Sequence, residues 1–112
     1  MPVNVSFTPE FKRNLRALSR KFRHIREDID PIINQLQGGQ LPGDQVTGTG
    51  YTIFKLRVSN RDVQKGKSGG YRLIYYLQTK SEIILITIYS KAEQADISAS
   101  QIRRIVGELD AG

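Results

Sequence analysis

Two neighbouring runs of β-branched and aromatic residues, at 71–77 and 82–89, constrain the fold more than any other feature of the sequence. Such residues favour strands, and runs this dense are typical of strands in the middle of a sheet. Residues 78–81 separate the two runs, a length that suits a tight hairpin turn. The chain is therefore predicted to build its sheet around a central antiparallel hairpin.

Two further strands are predicted from alternating apolar and polar residues. Residues 52–58 alternate in this way, as expected of a strand with one buried face. Residues 3–7 do the same and run into Thr8-Pro9-Glu10, which has the pattern of a capped helix start. Residues 40–50 are rich in glycine, proline and polar residues and are predicted to form a loop.

Apolar stripes at helical spacing predict the helices. The stripes are Phe11, Leu15, Leu18 and Phe22, then Ile25, Ile29, Ile32, Ile33 and Leu36, and finally Ile102, Ile105, Val106 and Leu109. The second stripe ends at Gly38-Gly39 and contains Pro31, which either kinks this helix or begins a shorter one. Ser98 and Gln101 have the spacing of a capping box at the start of the last helix. The predicted order is β-α-α-β-β-β-α, an α+β fold in which residues 1–112 form a single domain with a helical hairpin across the sheet.

Positive charge is concentrated in the half of the chain that forms the sheet. Residues 51–91 hold eight lysines and arginines against two acidic residues, which equals the +6 net charge of the whole chain. A basic surface of this kind favours a polyanionic partner such as RNA. The alternative is a solvated face that only keeps the protein in solution.

Several kinds of chemistry are excluded by composition and spacing. The chain has no cysteine and one histidine, His24, so thiol catalysis and a two-histidine nuclease mechanism are not possible. His24 lies among basic residues and is predicted to be a surface residue, which leaves no histidine for a Ser-His-Asp triad. No carboxylates have the spacing of a metal site, and Gly66-Lys67-Ser68 lacks the first glycine of a phosphate-binding P-loop. We therefore expect no metal and no cofactor. No signal peptide or membrane-spanning run is evident, so we expect a cytoplasmic protein.

The remaining candidate is a cluster of cations on one face of the sheet. Strand alternation places Lys55 and Arg57 opposite Phe54, Leu56 and Val58. If Ile84, Ile86 and Ile88 point to the core, Tyr89 and Lys91 face the same way as Lys55. Arg72 begins the central strand beside the lysines of the preceding glycine-containing loop, Lys65 and Lys67.

Such a cluster could cut RNA without metal. The 2′-hydroxyl of RNA can attack the neighbouring phosphate if a base, an acid and positive charge surround it. Lysines crowded by other cations lose a proton more readily, and arginine can hold two phosphate oxygens at once. Each residue also has a structural alternative: Arg57 or Arg72 could pair with Asp62 or Glu82, and Tyr89 could be packing.

Three stretches of the sequence resemble the RelE/ParE toxin superfamily, and most closely its HigB-like RelE branch. They are IFKLRV at 53–58, KGKSGGYRLIYY at 65–76 and TIYSKAEQADI at 87–97. The resemblance implies a toxin that is paired with an antitoxin. It also implies that the toxin enters the ribosome and cleaves mRNA. It implies that Lys55 is a basic strand residue of the catalytic group and that Arg72 contacts the scissile phosphate.

The sequence departs from the best-known RelE pattern at three positions. Ile53 replaces a strand lysine, Ala92 replaces an arginine after the last strand, and Ser98 aligns with a tyrosine. We therefore predict Lys67, Lys91 and Tyr89 as the substitutes in the catalytic group. Arg57, Arg61 and Lys65 are predicted to bind RNA.

The expected partners are a cognate antitoxin, the ribosome and mRNA, with no membrane. Two other functions stay open at this point. One is a ParE-type toxin that acts on gyrase, for which the basic face would be incidental. The other is an RNA-binding module without catalytic activity, which would bind RNA in a salt-sensitive manner and create no new RNA ends.

Overall fold

A computed structural model describes residues 3–62 and 70–111 of the chain. The secondary structure elements, in chain order, are β1 (Asn4–Phe7), α1 (Pro9–Ser19), α2 (Ile25–Gln37), β2 (Asp44–Val46), β3 (Ile53–Val58), β4 (Tyr71–Thr79), β5 (Glu82–Ser90) and α3 (Ala99–Ala111). The predicted α+β class and the order of its elements are confirmed, with β2 as an additional short strand. No helix in the described ranges is long and apolar enough to cross a membrane.

The strands of the described residues form one sheet in the order β1-β5-β4-β3-β2. β1 lies parallel to β5, and every other neighbouring pair is antiparallel. β4 is the middle strand, with its hairpin partner β5 on one side and β3 on the other. The predicted central hairpin is therefore confirmed.

The helix termini follow the capping signals of the sequence. The hydroxyl oxygen of Thr8 accepts a hydrogen bond from the amide of Phe11 at 2.9 Å, which caps α1. α2 runs unbroken through Pro31 and ends at Gln37, with Gly38 as its C-cap. At the start of α3, Ser98 and Gln101 form both hydrogen bonds of a capping box, at 3.0 and 3.1 Å.

Helices cover both faces of the sheet. α1 and α2 pack on one face over the main core, to which the strands contribute Val58, Tyr71, Leu73, Tyr75, Ile83, Leu85 and Ile88. α3 packs on the opposite face over a smaller apolar cluster made of Ile53, Ile74, Ile86, Tyr89, Ile102, Ile105 and Val106. Both helical layers bury apolar stripes that the sequence predicts.

The loop predicted for residues 40–50 contains the short strand β2, which is a correction. Asp44 pairs with Lys55, and Val46 pairs with Ile53, at the edge of the sheet. Three residues are too few for alternation to be recognised in a segment that also contains Gly43 and Pro42. The strand matters for the site because it brings a carboxylate beside Lys55.

A β-bulge in β5 corrects the predicted orientation of that strand. Ile74 pairs with Thr87 whereas Tyr75 pairs with Leu85, so Ile86 is the extra residue. Ile84, Ile86 and Ile88 therefore do not share a face. Ile86 packs under α3, and Ile88 belongs to the main core on the other side. The hydroxyl of Thr8 donates to the carbonyl oxygen of Ile86 at 2.6 Å, which fixes the bulge to the start of α1.

Candidate functional site

A basic cleft forms where three strands extend beyond the apolar patch under α3. On β3, Ile53 lies under the helix, and Lys55 and Arg57 follow it on the same face. β4 and β5 repeat this arrangement. Moving across the sheet in the direction from Ile53 to Arg57, the apolar Ile74 gives way to Arg72 on β4, and Ile86 gives way to Tyr89 on β5. Each strand thus changes from apolar to polar side chains where the cover of α3 ends.

The β5 bulge is the reason that Tyr89 faces this cleft. In an unbroken strand, residues two apart share a face, and Tyr89 would lie on the side of Leu85. The extra residue shifts the alternation, so that Tyr89 and Lys91 lie on the side of Ile86. Both residues face the same way as Lys55, as predicted. The bulge is the cause, and not an unbroken alternation from Ile84 to Ile88.

The cleft has a volume of about 570 Å³. It is lined by four cationic side chains, two carboxylates, a tyrosine and an alanine: Lys55, Arg57, Arg72, Lys91, Asp44, Asp96, Tyr89 and Ala95. Arg57, Arg72 and Tyr89 occupy neighbouring positions on β3, β4 and β5, because Arg72 is the register partner of both other residues. Strand pairing therefore fixes their spacing.

Arg72 is the most deeply placed cation of the cleft. It is 6% exposed and lies on the middle strand. Its guanidinium donates one hydrogen bond, to the carbonyl oxygen of Tyr71 at 3.2 Å, and forms no ion pair with any residue that the structure describes. Burying an unpaired charge costs free energy, and the cost falls when an anion binds it. Arg72 is thus arranged to receive a negatively charged group.

Asp96 connects two other residues of the cleft. Its Oδ1 atom accepts hydrogen bonds from Lys55 Nζ at 3.0 Å, from the hydroxyl of Tyr89 at 3.4 Å and from the amide of Ile97 at 2.8 Å. The hydrogen bond from Lys55 is the main reason that the pKa of Asp96 is lowered, so this carboxylate is ionised at neutral pH.

Tyr89 combines packing with a polar function. Its ring is buried in the apolar cluster under α3, and its hydroxyl reaches the cleft. Burial, and secondarily the Asp96 carboxylate, raise the pKa of Tyr89 to about 12. The hydroxyl is therefore protonated at neutral pH and able to donate a proton. The packing alternative raised by the sequence accounts for the ring alone.

Lys91 and Arg57 complete the cations of the cleft. Lys91 Nζ donates to the carbonyl oxygen of Ala95 at 2.6 Å, which places the ammonium group at the wall next to Asp96. Arg57 is exposed and has no ion pair within 3–62 and 70–111. The alternative pairings of Arg57 or Arg72 with Asp62 or Glu82 do not occur in this structure.

Arg61 does not line the cleft, so it is separated from the other described residues that are predicted to bind RNA or to act in catalysis. Its Nε atom donates to Asp28 Oδ1 at 2.8 Å and its Nη1 atom to Glu27 Oε2 at 2.7 Å, so the side chain is held by the start of α2. The neighbouring Asp62 accepts a hydrogen bond from the amide of His24 and contacts its ring. Lys65 and Lys67, the other predicted residues of this loop, lie outside the described residues.

Two carboxylates of the cleft, Asp44 and Asp96, were not among the predicted site residues. Asp44 comes from the unpredicted strand β2. Asp96 lies in the turn between β5 and α3, five positions after Lys91 and two before the N-cap Ser98. The sequence signal that could have indicated Asp96 is its position, because it is a polar residue close to both a predicted site strand and a predicted helix start. In the described ranges, no three or more histidine, aspartate or glutamate side chains are placed to hold a metal ion.

Comparison with known proteins agrees with this architecture. A family model described as the RelE toxin of the RelE/RelB toxin–antitoxin system matches residues 11–107. The fold is similar to that of an arginine-to-alanine double mutant of the E. coli toxin RelE in its free state, with a TM-score of 0.54 and 17% sequence identity over 85% of this chain and 90% of that chain. The family match covers both the helical hairpin and all strands of the cleft, and the chain belongs to the RelE family of toxins from toxin–antitoxin systems.

Proposed function

We propose that this toxin is an endoribonuclease that cleaves mRNA on the ribosome and thereby arrests translation. The observation that carries the proposal is Arg72, a nearly buried guanidinium without a carboxylate partner among the described residues, at the floor of a cleft with three other cations. Such a site favours a phosphodiester over a neutral ligand. The family match supports a toxin, and the three resembling stretches favour the HigB-like branch. The ribosomal target places the protein in the cytoplasm.

The proposed reaction uses the 2′-hydroxyl of RNA as its nucleophile. A base takes the 2′-proton while the 2′-oxygen forms a bond to phosphorus. The bond from phosphorus to the 5′-oxygen then breaks, and an acid protonates the departing 5′-oxygen. The products are a 2′,3′-cyclic phosphate and a 5′-hydroxyl end. Negative charge accumulates on the phosphate oxygens in the transition state, where fixed cations stabilise it most effectively.

The geometry suggests a division of roles among the residues of the cleft. Arg72 binds the non-bridging oxygens of the scissile phosphate, because its guanidinium is fixed and offers donors that no described residue uses. Lys55 supplies positive charge through its ammonium group, which pairs with Asp96 in the free protein. Tyr89 donates the proton to the 5′-oxygen, because its hydroxyl is protonated at neutral pH. Lys91 is the described residue that remains to accept the 2′-proton, which it does as the neutral amine after giving up its own proton, and Lys67 is the alternative base.

The exposed Arg57 binds the RNA backbone at the rim of the cleft. Its position beside Arg72 suits contact with a phosphate adjacent to the scissile one. Tyr89 is not available to stack a base, because its ring is packed under α3. Base recognition is therefore assigned to other parts of the complex, including the ribosome.

Inducible expression tests the function as a whole. We expect translation to stop within minutes of induction and new RNA 5′ ends to accumulate, because mRNA is the proposed substrate. Lys55→Ala should delay both effects, whereas Lys80→Ala should behave like wild type, because Lys80 lies in the turn between β4 and β5 and not in the cleft. DNA damage and filamentation before translation arrest would instead support a gyrase poison. RNA binding without new ends would support a module that lacks catalytic activity.

Membership in the family implies an antitoxin, and we propose that an acidic segment of this antitoxin covers the basic cleft or displaces α3. The charge of the cleft favours an acidic partner. In the toxin–antitoxin complex, hydrogen exchange should slow within residues 51–91 relative to the free toxin. A footprint confined to α1 and α2 would contradict this placement.

A further inference from the structure

Of the two carboxylates that line the cleft, Asp96 is the one that accepts hydrogen bonds from proposed catalytic groups among the described residues. A single atom, Oδ1, accepts hydrogen bonds from Lys55 Nζ, from the hydroxyl of Tyr89 and from the amide of Ile97. These donors come from β3, from β5 and from the turn before α3. They surround Oδ1 as they would surround a phosphate oxygen of a bound nucleic acid.

Asp96 is not held in this position by burial. Its side chain is 64% exposed, and the side chain of Lys55 is 36% exposed. An exposed ion pair of this kind contributes little stability, about 1 kcal/mol or less, so an incoming anion can displace it. Ala95, whose carbonyl oxygen accepts from Lys91 Nζ, precedes Asp96 directly. The same short turn therefore engages two lysines of the cleft.

We propose that Asp96 occupies the binding position of a phosphate oxygen and competes with the substrate for Lys55 and Tyr89. This inference rests on the proposed nuclease function, because it assigns a phosphate to the same cleft. RNA must displace the carboxylate from Lys55 before the scissile phosphate can bind in full. Asp96 thereby sets the affinity of the cleft for phosphodiesters, as a competing anion built into the chain.

The alternative is that Asp96 only organises the start of α3. Its hydrogen bond with the amide of Ile97 fits that role. Asparagine at this position keeps the Oδ1 acceptor for the amide, loses the negative charge and carries an NH2 group in place of the second carboxylate oxygen. Asp96→Asn therefore separates competition for the cations from support of the helix, and it should leave the melting temperature close to that of wild type.

Glu93 provides the matched control. It lies three residues earlier in the same turn, and its carboxylate pairs with Lys21, two residues beyond the end of α1 and outside the cleft. Glu93→Gln changes the net charge of the protein by the same amount as Asp96→Asn. Any difference between the two variants therefore comes from the position of the carboxylate and not from total charge.

The experiment measures binding of two probes to the full-length toxin. The first is inorganic phosphate, followed by the NMR shift of the Ile97 amide. The second is a single-stranded RNA whose 2′-hydroxyls are methylated to prevent cleavage. At low salt, Asp96→Asn should bind both probes about three- to fivefold more tightly than wild type. Glu93→Gln should match wild type, and adding Lys55→Ala to Asp96→Asn should abolish the gain.

Each outcome decides between the inferences. Equal or weaker binding by Asp96→Asn than by Glu93→Gln overturns the competition. A gain that survives Lys55→Ala overturns it as well, because the contested cation would be another one. If phosphate binding follows the prediction but the wild-type toxin cleaves no RNA in translating extract, the phosphate position stands and the nuclease function fails.

Discussion

Arg72→Ala should lower mRNA cleavage in a translating extract by about a hundredfold or more, the usual effect of removing a fixed donor from a developing negative charge. The guanidinium is nearly buried, makes one hydrogen bond to the described part of the chain and lies beside Arg57 and Tyr89 on the neighbouring strands. Its loss removes charge from the position proposed for the scissile phosphate. Arg72→Lys should recover only part of the activity, because lysine cannot hold two phosphate oxygens in a fixed geometry.

Arg61→Ala is the matched control for this prediction. Arg61 also belongs to the basic segment of the sequence, but its side chain is paired with Asp28 and Glu27. The Arg61→Ala variant should cleave mRNA at a rate similar to wild type, measured as the first-order loss of full-length message. Circular dichroism should show that all variants keep their fold. The assignment of the cleft would be wrong if Arg72→Ala cleaved as fast as Arg61→Ala.

Gly70→Ala should reduce the free energy of unfolding by roughly 2 to 5 kcal/mol and should also impair cleavage. Gly70 has a φ of +90°, and a Cβ built there would lie 2.5 Å from the carbonyl oxygen of Val58. The left-handed conformation costs a non-glycine residue about 1 to 2 kcal/mol, and overpacking against fixed backbone adds about 1 to 3 kcal/mol. The amide of Lys91 donates to the carbonyl oxygen of Gly70 at 3.0 Å, so displacement of Gly70 disturbs two strands of the cleft.

Gly48→Ala separates the two causes of this destabilisation. Gly48 has a similar φ of +82°, but no atom of the described residues beyond its chain neighbours lies within 4 Å of the place that a Cβ would occupy. It should lose only about 1 to 2 kcal/mol in urea denaturation and should cleave normally. Equal losses of unfolding free energy for Gly48→Ala and Gly70→Ala would show that the close approach of Gly70 to Val58 does not constrain the start of β4.

Much of the fold could be predicted because local signals and the global fold agree. Thr8 and the pair Ser98 and Gln101 cap helices as their spacing indicates. The dense apolar runs form the central hairpin, and the alternation of β3 places Lys55 and Arg57 on the face opposite the main core. These features depend on residues close in sequence, which is the range over which periodicity carries information.

The remaining features depend on contacts between distant segments. The bulge at Ile86 changes the face of Tyr89, and it is fixed by a hydrogen bond from Thr8, 78 residues away. Arg61 is withdrawn from the cleft by carboxylates of α2, and Asp96 enters it through the turn before α3. A net count of charges in a segment reveals none of these pairings. The sequence therefore indicated the composition of the site better than the contacts among its residues.

The chemical identity of the RNA ends tests the central claim most directly. Message cleaved by the purified toxin on programmed ribosomes should carry 5′-hydroxyl ends and 2′,3′-cyclic phosphates, because the 2′-oxygen attacks and cations stabilise the transition state. Replacing the nucleotide 5′ to the cut with its 2′-deoxy analogue should then abolish cleavage at that position. Ends with 5′-phosphates, or undiminished cleavage of the deoxy substrate, would contradict the mechanism.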